Sequence, residues 1–272
     1  MATTADMIKF RAETIAANEE QLSPLRAATT TEYMDQGGSA VFLVAGSADE
    51  AVERGVSGDI PYSPDSYIQN TVTLHAIYGP WATTGFNMFA AQSDLARIAQ
   101  RTVTARINRN VTTTIRDAMS ATTTTSPVAA ASLGWVEDQI KTLGVNSVPT
   151  EEVENMFAFV SPSVMSKLRQ IPEFASADYV DMKTHAGTIK KQLRWNGINW
   201  IQSTLIVGIG TAAEIVYFFH RNGIGHAANM SDMKVNAGYN EEQDRSFCLA
   251  SIFHGAKLLQ ASSVIKCTHD GT

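Results

Sequence analysis

The chain has 272 residues, 44% of them hydrophobic and 18% charged, an ordinary globular composition with enough apolar residues for a sizeable core. Its formal net charge of −6 argues against a dedicated nucleic-acid binder, whose surface must be basic to neutralise phosphates, but leaves open a protein that merely encloses nucleic acid. Two cysteines, Cys248 and Cys267, are too few for a disulfide framework and too far apart for a metal knuckle; no run of 18 apolar residues is present to span a membrane. With so few cysteines a reducing compartment is expected, and the first twenty residues lack the apolar core of a signal peptide.

Residues 1–36 are polar and threonine-rich. Met7, Phe10 and Ile15 with Glu13, Glu19 and Glu20 fit one short helix that stops near Ser23-Pro24. The segment cannot build a core of its own and is expected to be an arm, ordered only where it lies on something else. Residues 39–45 (SAVFLVA) follow two glycines and read as a strand. In residues 48–66, Gly55, Gly58, Pro61 and Pro64 prevent regular structure. Residues 69–78 alternate, with Val72, Leu74, Ala76 and Tyr78 on one side and Thr71, Thr73, His75 and Ile77 on the other, which predicts a two-faced strand. The two strands and their long tip read as an extended β-hairpin that Gly79-Pro80-Trp81 ends. Long loops of this kind inside a compact domain are generally functional or interactive.

Residues 93–120 organise the rest of the chain. Apolar residues recur every fourth position: Leu95, Ala99, Val103, Ile107, Val111, Ile115 and Met119. A turn takes about 3.6 residues, so each step overshoots by about 40° and the apolar stripe winds around a helix about 40 Å long. Such a helix is too long for one flat face of a small core and predicts a strut that meets different neighbours at its two ends. Arg97, Arg101, Arg106, Arg109 and Arg116 fall between the apolar rows and read as a solvated basic face.

Residues 121–132 read as a low-complexity connector, and residues 132–143 as a helix with Leu133, Val136, Ile140 and Leu143 on one face and Gly144 at its end. The remainder alternates strands and helices. MFAFV at residues 156–160 reads as a buried strand, followed by Ser161-Pro162 as cap and first residue of a helix that Pro172 stops. Asn196-Gly197 joins strands at 187–195 and 198–206. EIVYFF at 214–219 reads as a core strand, NGIGHAAN at 222–229 as a short small-residue helix, and residues 246–268 as two strand-like runs.

Chemistry is weakly signalled. Gly208-Ile209-Gly210-Thr211-Ala212-Ala213 matches the G-x-G-x-x-A spacing of a dinucleotide turn, but the strand-like EIVYFF stands where a helix is required. No Walker A sequence occurs. His75, His185, His220, His226, His254 and His269 show no zinc spacing. Ser161 is followed by proline, so it is not a nucleophile elbow and is better read as a helix cap. Glu151-Glu152 and Glu241-Glu242 lie in polar segments and read as solvated. Trp195, Trp200, Tyr217, Phe218 and Phe219 sit in apolar strands without interleaved basic residues and read as core rather than as base-stacking platforms. No cofactor and no catalytic residue is expected.

The order of elements is the informative fact: a polar arm, a long hairpin, a long helix, then an α/β part that closes on two strands. With Val52–Pro61 (VERGVSGDIP) ahead of a VTL strand, SDLARIAQR at residues 93–101, FVSPSVMSKL at 159–168, IVYFFHRNGIGHA at 215–227 and HGAKLLQASSVIK at 254–266, the chain resembles the major capsid proteins of tailed phages, the Hong Kong 97-type fold. The resemblance implies an α+β subunit with an arm at 1–36, an extended loop at 37–85, a peripheral domain at 86–150 with its spine helix, an axial domain at 151–240 and closing peripheral strands at 241–272. It implies a structural protein, not an enzyme, assembled into hexamers and pentamers of an icosahedral shell around double-stranded DNA, with the loop and arm lying over neighbouring subunits. Its partners would be copies of itself, a separate scaffolding protein, a portal and a decoration protein; it would bind no membrane and no specific DNA sequence, and its place would be the virion, after assembly in the host cytoplasm. Ile60, Pro61, Tyr62 and Arg54 at the loop tip are the expected contact residues, because they have no local core to bury in. An encapsulin-type nanocompartment shares the fold and is the alternative; a nucleotide-cofactor enzyme built on Gly208 to Ala213 is a distant one. Some members cross-link subunits through a loop lysine, but no lysine occurs between Lys9 and Lys141, so no such cross-link is expected here. The segment before Gly37 is too short for the built-in scaffolding segment of some members.

Overall fold

The computed structural model describes residues 23–46, 54, 58, 66–84, 95–175, 192–230 and 233–270. In chain order its elements are α1 (Pro24–Ala27), β1 (Thr30–Met34), β2 (Ser39–Ala45), β3 (Tyr67–Thr73), β4 (His75–Thr84), α2 (Leu95–Met119), β5 (Thr125–Ala129), α3 (Leu133–Val145) and β6 (Met156–Val160). They continue with α4 (Pro162–Leu168), α5 (Pro172–Ala175), β7 (Gln192–Trp195), β8 (Ile198–Gln202), β9 (Glu214–His220), β10 (Ile224–Asn229), β11 (Lys234–Asn240), β12 (Arg245–Leu258) and β13 (Val264–His269). The predicted short helix before Ser23 lies outside the described residues.

Helix α2 is the expected strut. Ala99, Val103, Ile107, Val111, Ile115 and Met119 are all buried, so the four-residue repeat is the packed stripe. The stripe does meet different partners along its length. Near the first half, Gly79 of β4 lets the two backbones approach: a Cβ there would lie 3.3 Å from the Val103 carbonyl oxygen. Near the second half, Thr112 Oγ1 donates to Ser23 Oγ at 2.9 Å beside α1, and Arg116 Nη1 donates to the Leu205 carbonyl at 2.6 Å. Beyond the helix, Thr122 Oγ1 donates to the Val264 carbonyl at 2.7 Å.

Two sheets flank this strut. A five-stranded sheet runs β1-β10-β12-β11, with β4 also pairing β12. Strand β12 is its axis: it carries β4 along residues 245–254, β11 along 245–251 and β10 along 254–258, all antiparallel, and β1 joins β10 in parallel. A six-stranded sheet runs β5-β13-β9-β6-β8-β7. At its centre β6 is buried at every position, as its unbroken apolar run requires. The turn between β7 and β8 is the predicted Asn196-Gly197, both with positive φ (51° and 72°) as a type I′ turn demands. Trp195, Trp200, Tyr217, Phe218 and Phe219 are core: the Trp200 and Phe218 rings meet edge-on at 5.7 Å, and Phe174 meets Trp195 at 4.9 Å. Edge-on pairs of this kind contribute about 0.5–1.5 kcal/mol each beyond their buried area. One apolar cluster runs through both sheets and α2.

Four expectations are corrected. Residues 224–229 form strand β10, not a helix; a 3₁₀ turn at Arg221–Gly223 precedes it, and β12 and β1 pair with its two edges. Its small residues serve close approach, since a Cβ on Gly225 would lie 3.0 Å from the Leu259 side chain. Gly79-Pro80-Trp81 does not end a strand: β4 runs through it to Thr84, and Pro80 is tolerated because, among the described residues, β4 pairs only with β12. The predicted strand at 69–78 is two, parting at Leu74, where β3 leaves β2 and β4 joins β12. The low-complexity connector contains β5, an edge strand parallel to β13. In sheet membership, β10 and β11 belong with β12, while β13 joins the six-stranded sheet.

Candidate subunit-contact surfaces

The two-stranded sheet of β2 and β3 is the element with least core. Seven residue pairs hold it, from Ser39↔Thr73 to Ala45↔Tyr67. On one face Ala40, Phe42 and Val72 are buried against Ala227 of β10, with Met34, Leu74 and Leu259 packed around them. Asn70 Nδ2 donates to the Leu259 carbonyl at 3.3 Å and the Leu74 N–H to the Gly38 carbonyl at 2.9 Å. These contacts pin the base. Strand alternation then turns Val41, Leu43 and Tyr67 to the other face, where they are 49%, 63% and 62% exposed. Further out, Ile68 is exposed even on the core-side face.

Of the tip residues named from the sequence, Arg54 is exposed and its Nε donates to the Gly58 carbonyl at 3.1 Å; Gly58 has φ +87°. Ile60, Pro61 and Tyr62 lie outside the described residues. The strand-face residues Val41, Leu43 and Tyr67 were missed as contact candidates, because the apolar run at 39–45 does not say which of its two faces the fold covers. A second uncovered apolar surface lies on the five-stranded sheet away from α2. Phe253 and Ala76 pair there, as do Ser251 and Tyr78, and both Phe253 and Tyr78 are exposed.

The arginines of α2 are not all solvated. Arg116 is largely buried and bonds both the Leu205 carbonyl and Asp117, whereas Arg97, Arg101 and Arg106 are exposed, Arg106 donating through Nη1 to the Pro80 carbonyl at 2.7 Å.

The remaining candidates for chemistry resolve into structure. Gly208 and Gly210 have φ +77° and +74° and make a turn that runs into strand β9, with no helix N-terminus to receive a pyrophosphate. Ser161 caps α4, accepting from the Val164 N–H at 3.2 Å, and its hydroxyl donates to Glu214. Glu214, fully buried, also accepts from Ser163 Oγ at 2.7 Å and the Gly210 N–H at 2.8 Å, with His269 Nδ1 4.0 Å away. Burial pushes its carboxyl up, but those hydrogen bonds and the His269 charge outweigh burial and hold it below the usual range. The serine hydroxyl here donates to the carboxylate rather than to the imidazole, so the trio is no nucleophile–base relay. Cys248 and Cys267 are free and buried, and burial raises both thiols away from reactivity. A cleft of about 360 Å³ between β5, α3 and β13 includes Ser126, whose oxygen accepts from the Gln139 amide at 3.1 Å. Among the described residues no group of three potential metal ligands occurs, and no helix is long and apolar enough to cross a membrane.

The family model described as phage capsid protein matches residues 3–271. The chain belongs to the phage capsid protein family. No curated protein matches it in sequence. Its fold is shared with solved capsids. A chain of Mycobacterium phage Che8 superposes with a TM-score of 0.75 at 14% identity, covering 98% of each chain. The capsid of cyanophage P-SCSP1u gives 0.71 at 11% identity, covering 98% of this chain and 94% of that one. The capsid of a native GTA particle gives 0.70 at 13% identity, covering 98% and 96%. At these identities the fold is what is shared, and it is the α+β Hong Kong 97-type fold expected from the order of elements. The capsid family and fold point to a structural protein, and the nanocompartment and cofactor-enzyme readings are not favoured.

Proposed function

We propose that this capsid protein is the repeating subunit of a tailed-phage head, that it self-assembles into an icosahedral shell enclosing double-stranded DNA, and that it has no catalytic role. The observation that carries this reading is the hairpin: β2 and β3 bury only their base on their own subunit and leave Val41, Leu43 and Tyr67 uncovered. A face of this kind in a family of shell proteins is stabilised by a second copy. In this reading 1–36 is the arm and 37–85 the extended loop, both lying over neighbours in hexamers and pentamers. The five-stranded sheet with α2 is the peripheral part and the six-stranded sheet the axial part. Ile60, Pro61, Tyr62 and Arg54 at the loop tip touch the neighbouring subunit. A separate scaffolding protein, a portal and a decoration protein complete the particle, which assembles in the host cytoplasm.

Negative-stain electron microscopy of the protein, expressed alone and with a scaffolding protein from the same source, tests the reading. Hollow shells of uniform size support it; monodisperse small particles under both conditions overturn it. Shells formed by Ile60→Asp with the stability of the parent would remove the tip from the contact.

A further inference from the structure

His226 and His254 are buried together inside one subunit, 0% and 1% exposed, with ring centroids 5.7 Å apart. Register places them on the face of β10 and β12 that packs on α2: His226 pairs with Ala256, and His254 with Ala228 and, across β4, with His75. His254 Nε2 lies 3.1 Å from Asn110 Oδ1 of α2, which favours the Nε2–H tautomer. The His254 Nδ1 and both ring nitrogens of His226 have no hydrogen-bond partner among the described residues.

Among the described residues, the groups whose charge acts on the pair are Arg26, His75 and the two histidines themselves. From α1 comes Arg26, which stacks 5.5 Å over Tyr33 of β1 and donates to its hydroxyl at 3.1 Å. From β4 comes His75; Arg106 and Arg109 of α2 precede Asn110 in sequence, Arg106 being exposed and bonded to the Pro80 carbonyl. Lys257 and Glu32 belong to the opposite face, in register with Gly225 and Ala227. No carboxylate bears on either ring among the described residues. Burial, with the neighbouring histidine and Arg26, lowers His226 to about 3; burial, with Arg26 and His75, lowers His254 to about 4.

The place of this pair gives it a consequence. β10 receives β1 on its free edge, and its other face, at Ala227, seats the base of the β2–β3 hairpin. Both parts that have no core of their own are therefore anchored on the strand that carries His226.

We propose that His226 and His254 form a proton-sensitive latch: kept neutral, they hold the arm strand β1 and the hairpin base on β10, and protonation releases both from their own subunit while the six-stranded sheet stays folded. The latch belongs to the single subunit and does not rest on the shell reading.

The sign comes from proton linkage. An opened, hydrated histidine titrates near its ordinary value of about 6.5, above the buried value, so the opened state binds more protons and opening is favoured as pH falls. Two such groups favour opening by about hundredfold per pH unit between pH ~6 and pH ~4.

Hydrogen exchange of the purified protein from pH 7 to pH 4.5, corrected for intrinsic exchange rates, tests this. Protection of Thr30–Met34 and of β2 and β3 is expected to fall at least tenfold per pH unit below pH 6, while β6, which has no titratable residue, holds its protection. H226Q/H254Q is expected to flatten the dependence. Loss of β6 protection in parallel with β1 would mean global unfolding and overturn the latch; this wild-type comparison decides even if the double variant fails to fold. An unchanged slope in a folded double variant would overturn it as well.

Discussion

The Gly210 N–H donates to Glu214 Oε1 at 2.8 Å, across a turn in which Gly208 and Gly210 both have positive φ. The same carboxylate receives Ser161 and Ser163, the cap and second residue of α4. One buried side chain thus ties a glycine turn, the start of β9 and the start of a helix together, at the place where the glycine spacing alone fits a cofactor motif. Removing it leaves those donors without an acceptor, each at about 1–3 kcal/mol. Glu214→Ala is expected to destabilise the unassembled subunit by about 3 kcal/mol, read by denaturant unfolding. Because the carboxyl is held below its ordinary value of 4.5, its contribution is complete above that pH and is lost as pH falls through the lowered value. The Ala variant should show a shallower loss of stability with acid than the parent.

Gly255 of β12 lies under the hairpin, where an added methyl would overlap the Thr73 carbonyl oxygen. Backbone does not yield as a flexible side chain does, so overpacking at such a point costs about 1–3 kcal/mol. Gly255→Ala is expected to unseat the hairpin while sparing the six-stranded sheet. Faster hydrogen exchange confined to β2, β3 and β12 would show it; an unchanged pattern would mean that the close approach is dispensable.

Leu43 is exposed in the subunit, so Leu43→Asp should change the stability of the monomer by no more than about 0.5 kcal/mol. If a second copy covers that face, the same change abolishes or strongly weakens assembly. Sedimentation and electron microscopy read the second effect, calorimetry the first. Normal shells from Leu43→Asp would exclude this face from the contact.

No lysine is present between Lys9 and Lys141, so the loop has no amine to attack a neighbouring side chain. Particles boiled in detergent should run as a single monomer band on a denaturing gel, and a ladder of covalent multimers would contradict this.

Elements that carry their own signal were legible. The four-residue repeat of α2, the unbroken apolar run of β6, the Ser161-Pro162 cap and the Asn196-Gly197 turn each encode local geometry in adjacent residues. β10 was not, because its strand character is conferred from outside: Gly225, Ala227 and Ala228 have little strand preference and are extended only because β1 and β12 pair with them. β5 is hidden for the same reason, its partner β13 lying about 140 residues later. The break at Leu74 was invisible since alternation continues through it; the partner changes, not the pattern. Proline and glycine draw attention to the loop tip as the contact surface, whereas the exposure of Val41, Leu43 and Tyr67 depends on Ala227 occupying the opposite side.

The ten-pair ladder between β4 and β12 has a mechanical meaning. β3 passes into β4 at Leu74, so tension drawn along the loop axis enters β4 lengthwise. Its hydrogen bonds stand across that pull and are loaded together in shear, whereas a perpendicular pull would peel them one at a time. The ladder in turn is backed by α2, where Arg106 clips the Pro80 carbonyl. A ladder built this way resists force along its strands more than force across them.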